Sequence, residues 1–164
     1  MKPLKLISHS PEQTQHLGKH LGKLVQAGDV LCLIGNLGSG KTCLTQGIAW
    51  GLGIKEYAFS PSFVIVRECQ GRFPLYHIDF YRLEQLDEIV GLGLEEYFYG
   101  NGICVIEWAE KGMEVLPEEK LVIRLNYIAE TERSFSIEAE GERHQKLIEE
   151  LSLKLKRGEA WSWL

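Results

Sequence analysis

The amino-acid sequence predicts an α/β fold with a partly antiparallel central sheet, on two observations. The apolar run 30–34 is followed by the glycine-rich segment 35–42 and then by apolar residues in helical spacing. A strand, a tight loop and a helix in this order form the unit from which α/β sheets are built. The β-rich runs 63–69 and 75–80 flank a short polar turn, which predicts an antiparallel hairpin.

Residues 35–42 read Gly-Asn-Leu-Gly-Ser-Gly-Lys-Thr and fit the P-loop pattern. The glycines let successive N–H groups converge in front of a helix N-terminus, which favours phosphate. Lys41 is expected to reach the outer phosphates, and the Thr42 hydroxyl to bind Mg²⁺. The flanking strand and helix argue against an incidental glycine turn, so we predict a P-loop NTPase fold with three αβα layers. The predicted nucleotide-binding residues of the loop are Asn36, Leu37, Gly38, Ser39, Gly40, Lys41 and Thr42.

Length and composition indicate a single domain, residues 1–164, of ordinary globular character, with 45% hydrophobic and 25% charged residues. No apolar run approaches the roughly 20 residues of a membrane span, and residues 1–10 lack the long apolar segment of a signal peptide. The four cysteines are far apart, which is typical of reduced thiols in the cytosol. The net charge of −5 argues against a strong stand-alone nucleic-acid binder. We therefore expect a cytoplasmic protein that does not associate with membranes.

The chain before the P-loop strand predicts one helix. Ser10 can cap this helix, Pro11 suits its first turn, and Gln13 completes a capping box. We interpret the helix as structural, and a start close to the nucleotide base is the alternative.

Residues 60–62, Ser-Pro-Ser, follow the P-loop helix at short distance. A loop with two hydroxyl groups at this position can close over the γ-phosphate and Mg²⁺, as nucleotide switch loops do. An ordinary Ser-Pro turn explains the motif equally well.

The strand predicted at 75–80 ends in an acidic segment. If the strand continues, alternation places His77, Asp79 and Tyr81 on one face. Asp79 is a candidate for binding Mg²⁺ or positioning water, and a solvated acid at the strand end is the alternative. His77 by itself is interpreted as structural.

Residues 103–108, Ile-Cys-Val-Ile-Glu-Trp, have the Walker-B form of a buried strand ending in an acid. Ligands of α/β sheets collect at such strand ends, so Glu107 is expected to meet the metal held by Thr42. A glutamate without a ligand is the alternative. Trp108 is expected beside the site or packed under it, and packing is the favoured interpretation.

The remaining patterns predict further elements. Residues 83–92 and 94–98 are predicted to form short helices. Residues 121–127 and 134–139 alternate between apolar and polar and predict a second hairpin, and 142–156 predicts an amphipathic helix. The aromatic tail is expected either to fold back on the domain or to dock on a partner.

These residues suffice for nucleotide hydrolysis by positioning and electrostatics. The absence of an Asn-Lys-x-Asp tetrapeptide counts against a GTPase. A small-molecule kinase with Asp79 as base and Arg82 as substrate clamp stays open, and so does a nucleotide-gated binding module with negligible turnover.

Four motifs occur together in an order and spacing that resemble one family, the bacterial tRNA threonylcarbamoyladenosine biosynthesis ATPase TsaE, formerly YjeE. They are the P-loop, Ser-Pro-Ser-Phe at 60–63, His-Ile-Asp-Phe-Tyr-Arg-Leu at 77–83 and Ile-Glu-Trp at 106–108. The similarity extends from about residue 10 to residue 133.

The resemblance implies a cytoplasmic ATPase that uses ATP and Mg²⁺. Such a protein supports transfer of a threonylcarbamoyl group to adenosine 37 of tRNA. It acts through the partners TsaD and TsaB and contacts tRNA only through their complex. ATP hydrolysis resets or regulates that complex. The functional residues implied by the resemblance are Lys41, Asp79 and Glu107 for catalysis, Thr42 and Glu107 for the metal, and Pro11, Ser62, Trp108 and Arg133 as further nucleotide contacts.

Three residues depart from the family pattern. Asn36 stands where the family usually has aspartate, and Cys43 and Ser62 stand where it has threonine. Ser62 keeps the hydroxyl group, whereas Asn36 removes a charge near the phosphates.

Overall fold

The computed structural model describes residues 2–56, 65–157 and 161–163, and a single eight-stranded sheet runs through them. The strands are β1 (Leu4–Ser8), β2 (Val30–Ile34), β3 (Val66–Gln70), β4 (Pro74–Asp79), β5 (Ile103–Glu107), β6 (Lys120–Tyr127), β7 (Arg133–Glu140) and β8 (Ser162–Trp163). The helices of this part of the chain are α1 (Pro11–Leu24), α2 (Lys41–Gly51), α3 (Leu86–Val90), α4 (Glu95–Phe98) and α5 (Glu142–Arg157), with 3-10 turns at Ala109–Lys111 and Met113–Val115.

The sheet is mixed, as predicted. Its strand order is β3-β4-β5-β2-β6-β7-β1-β8. The four central strands from β4 to β6 are parallel to one another. The pairs β3–β4 and β6–β7 are the two predicted hairpins, and both are antiparallel. Residues 63 and 64 of the strand predicted at 63–69 lie outside the described residues.

Helices cover both faces of the sheet, which confirms the three αβα layers. One apolar core joins α1, α2 and α5 to residues such as Leu33, Val105 and Ile123 of the central strands. A second core joins the opposite face to α3, α4 and the 3-10 turns through residues such as Ile106 and Phe98. The two strands at the centre of the parallel part, β2 and β5, are covered on both faces and are almost wholly apolar.

Helix α3 is shorter than the predicted helix 83–92. The Leu83 N–H group bonds to the Phe80 carbonyl in a turn that follows β4, at 3.0 Å. Gln85 is extended, and the Glu88 carboxylate accepts a hydrogen bond from the Glu84 N–H group at 3.1 Å. Residues 83–85 therefore form the turn after β4 and the N-terminal cap of α3, and they are not helical.

The C-terminal tail folds back on the domain. Trp161 is buried in the first core, and β8 pairs antiparallel with β1. Among the residues described here, no helix combines the length and apolar character needed to cross a membrane.

Four glycines bring α1 and α2 into backbone contact. Gly18 and Gly22 lie on α1, and Gly47 and Gly51 lie on α2. A Cβ atom at Gly47 would lie 2.1 Å from the Gln15 carbonyl oxygen, which real Cβ atoms do not approach. Because α2 begins at the P-loop, this close packing fixes the position of α1 relative to that loop.

We expect Gly47→Ala to lower the free energy of unfolding by about 1–3 kcal/mol, since the added methyl group forces the helices apart. Urea unfolding monitored by circular dichroism measures this change. Gly91→Ala is the matched control, because Gly91 has an ordinary helical φ of −67° and its added Cβ would lie 3.3 Å from its nearest neighbour. Equal effects of the two substitutions would show that the helix contact tolerates a side chain.

Candidate active site

The candidate site lies where three parallel strands end. β2 leads into the P-loop, β4 ends at Asp79, and β5 ends at Glu107. The β4–β5 register pairs Asp79 with Glu107, so both acids reach the same edge of the sheet beside the loop. A cavity of about 380 Å³ opens there. It is lined by Leu37, Gly38, Ser39, Gly40, Lys41, Thr42, Cys43, Tyr81, Glu107 and Trp108.

The loop adopts the curled backbone that its glycines allow. Gly38 and Gly40 have φ angles of 78° and 103°, a region that residues with a Cβ atom rarely occupy. The Ser39 N–H group donates to the Asn36 carbonyl at 3.1 Å and closes a turn. The Ser39 hydroxyl is buried and has no hydrogen-bond partner among the residues that the structure describes. Asn36 belongs to the loop but is not among the residues that line the cavity.

Lys41 lies in the wall of this cavity and is only 5% exposed. Its ammonium group donates to the carbonyl oxygens of Gly35 and, at 3.1 Å, of Asn36. It also lies 3.9 Å from the ring centroid of Trp108, a cation–π distance. Burial lowers the pKa of Lys41, and the nearby carboxylates of Glu107, Glu110 and Asp79 oppose this shift. A buried cation here is therefore costly to maintain without an anionic partner.

The two predicted metal-binding residues are in contact. The Thr42 hydroxyl donates to Oε1 of Glu107 at 3.2 Å. The other oxygen, Oε2, forms a short hydrogen bond with Nε2 of His77. His77, interpreted from the sequence as structural, thus contacts a predicted metal-binding residue. The strand alternation that places His77 on the same face as Asp79 is the sequence signal for this position.

Asp79 is almost fully buried at the end of β4. Its Oδ1 atom accepts a hydrogen bond from the Tyr81 N–H group at 2.7 Å. The strand ends at Asp79, so Tyr81 does not continue the alternation that the sequence suggested. Its ring instead packs on Trp108, with centroids 5.0 Å apart. Trp108 thus lies beside the cavity rather than only beneath it.

Pro11 and Arg133 lie together in a second cavity of about 90 Å³. This cavity shares Gly40 and Cys43 with the first one, so the two adjoin at the start of α2. Arg133 donates to the carbonyl oxygens of Ala129 at 2.6 Å and Glu132 at 2.9 Å. Its Nε atom is buried, and no hydrogen-bond partner for it lies within the described part of the chain. Ser62, the remaining predicted contact, lies outside the described residues.

The residues present fit a magnesium nucleotide. Mg²⁺ prefers oxygen ligands and is usually held by one or two carboxylates together with substrate phosphates. Thr42 and Glu107 present such oxygens next to the loop and to the Lys41 ammonium group. The partnerless Ser39 hydroxyl and Arg133 Nε atoms are donors that a nucleotide can satisfy.

Known proteins match the chain over most of its length. A family model described as threonylcarbamoyl adenosine biosynthesis protein TsaE matches residues 8–135. The chain belongs to the TsaE family. It is 46% identical over 153 residues to the tRNA threonylcarbamoyladenosine biosynthesis protein TsaE of Bacillus subtilis (strain 168), covering 93% of this chain and 96% of that protein. It is 40% identical over 134 residues to the protein of the same description from Treponema pallidum (strain Nichols), covering 82% and 99%.

A solved structure shows the same fold. The crystal structure of Bacillus subtilis YdiB matches with a TM-score of 0.82 at 41% identity, covering 93% of this chain and 96% of that one. The family match and this structure confirm the predicted resemblance to TsaE and the P-loop NTPase fold. Together they indicate a nucleotide-binding protein.

Proposed function

We propose that this protein is a Mg²⁺-dependent ATPase acting in the formation of threonylcarbamoyladenosine at position 37 of tRNA, in the cytoplasm. The names of the TsaE relatives support the tRNA pathway. The observation that carries the ATPase activity is the hydrogen bond between Thr42 and Glu107 beside the P-loop lysine. A hydroxyl and a carboxylate next to the P-loop are the kind of oxygen ligands that hold Mg²⁺ in P-loop NTPases, which supports the proposal.

Each residue of the site has a role in this proposal. Thr42 and Glu107 hold Mg²⁺, which when bound neutralises charge on the phosphates. The loop N–H groups and Lys41 hold the outer phosphates, and Asp79 orients the attacking water. Trp108 flanks the phosphates.

The second cavity is proposed to take the rest of the nucleotide. Gly40 of the P-loop lies in its lining, and so do Pro11 and Arg133. The backbone contact of α1 with α2 fixes the position of Pro11, the first residue of α1, relative to the P-loop.

We further propose that the protein acts through TsaD and TsaB, and that hydrolysis resets or regulates their complex. The net charge of −5 does not favour direct tRNA binding, so tRNA is met through these partners. Docking would order groups around the γ-phosphate and position the attacking water.

Phosphate release from ATP is therefore expected to be slow for the free protein. Its rate should rise about tenfold or more when TsaD and TsaB are added, which corresponds to a decrease of about 1.4 kcal/mol or more in the activation free energy of hydrolysis. Release of inorganic phosphate is measured with purified partners, and a radiolabelled γ-phosphate reveals any transfer to an acceptor. Transfer without release would favour a kinase.

The role in tRNA modification has its own test. Purified partners, threonylcarbamoyl-adenylate and unmodified tRNA are supplied with ATP or a non-hydrolysable analogue. Multiple-turnover modification should require ATP and the wild-type protein. Equal yields with the analogue would contradict the proposed role, and tight binding of tRNA by this chain alone would contradict an indirect one.

A further inference from the structure

We propose that His77 is a positioning residue that orients Glu107 for metal binding, an inference that rests on the proposed ATPase function. His77 and Glu107 lie on neighbouring parallel strands, β4 and β5. In the strand register His77 pairs with Val105 and Asp79 pairs with Glu107, so His77 is the diagonal neighbour of Glu107 on the same face. That face also carries Leu75 and Val105, which pack in the core beneath α2.

The contact assigns a direction to the hydrogen bond. A carboxylate that binds a metal ion is ionised and can only accept hydrogen bonds. In the proposed metal-binding role of Glu107, the Nε2–H group of His77 therefore donates the hydrogen bond to Oε2. Both side chains are nearly inaccessible, with 2% of His77 and 3% of Glu107 exposed. Since solvent cannot satisfy this oxygen, the imidazole is its partner.

The two oxygens of Glu107 therefore have separate tasks. Oε2 is committed to His77, and Oε1 is left facing the Thr42 hydroxyl. Without the imidazole donor, the carboxylate would lose the contact that fixes its rotation. It would also lose a donor that keeps a buried charge satisfied. Residues that orient metal-binding carboxylates in this way typically change metal affinity or activity by about 10- to 100-fold when removed.

The test is the Mg²⁺ dependence of nucleotide binding rather than turnover. Calorimetry gives the dissociation constant of a non-hydrolysable ATP analogue in EDTA and in Mg²⁺. The value in EDTA divided by the value in Mg²⁺ measures the metal contribution, and this quotient is the ratio compared between variants. We expect His77→Leu to reduce this ratio about 10-fold or more, with little change in EDTA. His77→Gln should restore most of it, because its amide N–H group reaches close to the position of Nε2.

A matched control is His144→Leu. His144 is also buried, and its Nε2 accepts a hydrogen bond from the Val30 N–H group at 3.3 Å, at the end of β2 opposite to the P-loop. Its loss should lower stability and leave the ratio unchanged. If His77→Leu does not fold, His77→Asn replaces it, because the shorter amide does not reach Glu107 and should reduce the ratio where His77→Gln does not.

The outcomes separate the inference from the proposed function. Folded His77 variants with the wild-type ratio would overturn the positioning role, and so would equal losses in the leucine and glutamine variants, which would indicate packing alone. A wild-type protein whose binding of the analogue does not depend on Mg²⁺ would overturn the proposed function itself, and the positioning role with it.

Discussion

Replacing Lys41 by alanine is expected to raise the dissociation constant for ATP about 10- to 100-fold, the effect of losing a charge-assisted hydrogen bond of about 1.5–3 kcal/mol. Lys41 lies in the wall of the cavity at the P-loop and is almost fully buried. Burial lowers its pKa, because a charge removed from water is poorly solvated. A bound phosphate supplies the anionic partner that this charge needs, and alanine cannot replace it.

Calorimetric titration with ATP and Mg²⁺ measures this change, with circular dichroism to establish that the variant is folded. Lys111→Ala is the matched control. Lys111 lies 5.9 Å from the same Trp108 ring, but it is exposed and is not among the residues that line the cavity. Its ammonium group bonds to the carbonyl oxygens of Tyr81 and Leu83. An unchanged affinity in folded Lys41→Ala would contradict the assignment of residues 35–42 as the phosphate site.

Glu107→Gln and Asp79→Asn are each expected to slow ATP hydrolysis roughly 100- to 1000-fold, the scale on which one preorganised electrostatic contact contributes to a transition state. Each substitution keeps the shape of the side chain and removes its charge. In the proposed mechanism, Glu107→Gln removes the charge that holds the metal ion, and Asp79→Asn removes the carboxylate that orients water. Nucleotide affinity should fall much less, because the loop N–H groups and Lys41 are unchanged.

Single-turnover hydrolysis at saturating ATP and Mg²⁺, with the partners present, separates chemistry from binding. Glu114→Gln serves as the control, since Glu114 is an exposed carboxylate in the second 3-10 turn. If both active-site variants hydrolyse ATP at the wild-type rate, the assignment of the two acids is wrong.

Features that depend on neighbouring residues could be predicted well. The strand–loop–helix order around Gly35, the two hairpins and the strand ending in Glu107 follow from apolar periodicity and glycine placement, which act over a few residues. The helix predicted at 83–92 was too long because the side chain of Glu88 bonds to the Glu84 N–H group and starts the helix later. Periodicity does not record such side-chain competition.

The sequence by itself determined the P-loop at residues 35–42 and the two acids at strand ends, because the P-loop pattern and the acid after an apolar run are local features of the chain. The strand order, with β5 between β4 and β2, was decided by the tertiary structure. That order brings His77 against Glu107, and the packing of α1 on α2 and of β7 beside the loop brings Pro11 and Arg133 to one cavity. These contacts join residues 30 to 122 positions apart, and their pairing depends on the free energy of the whole core rather than on any local pattern.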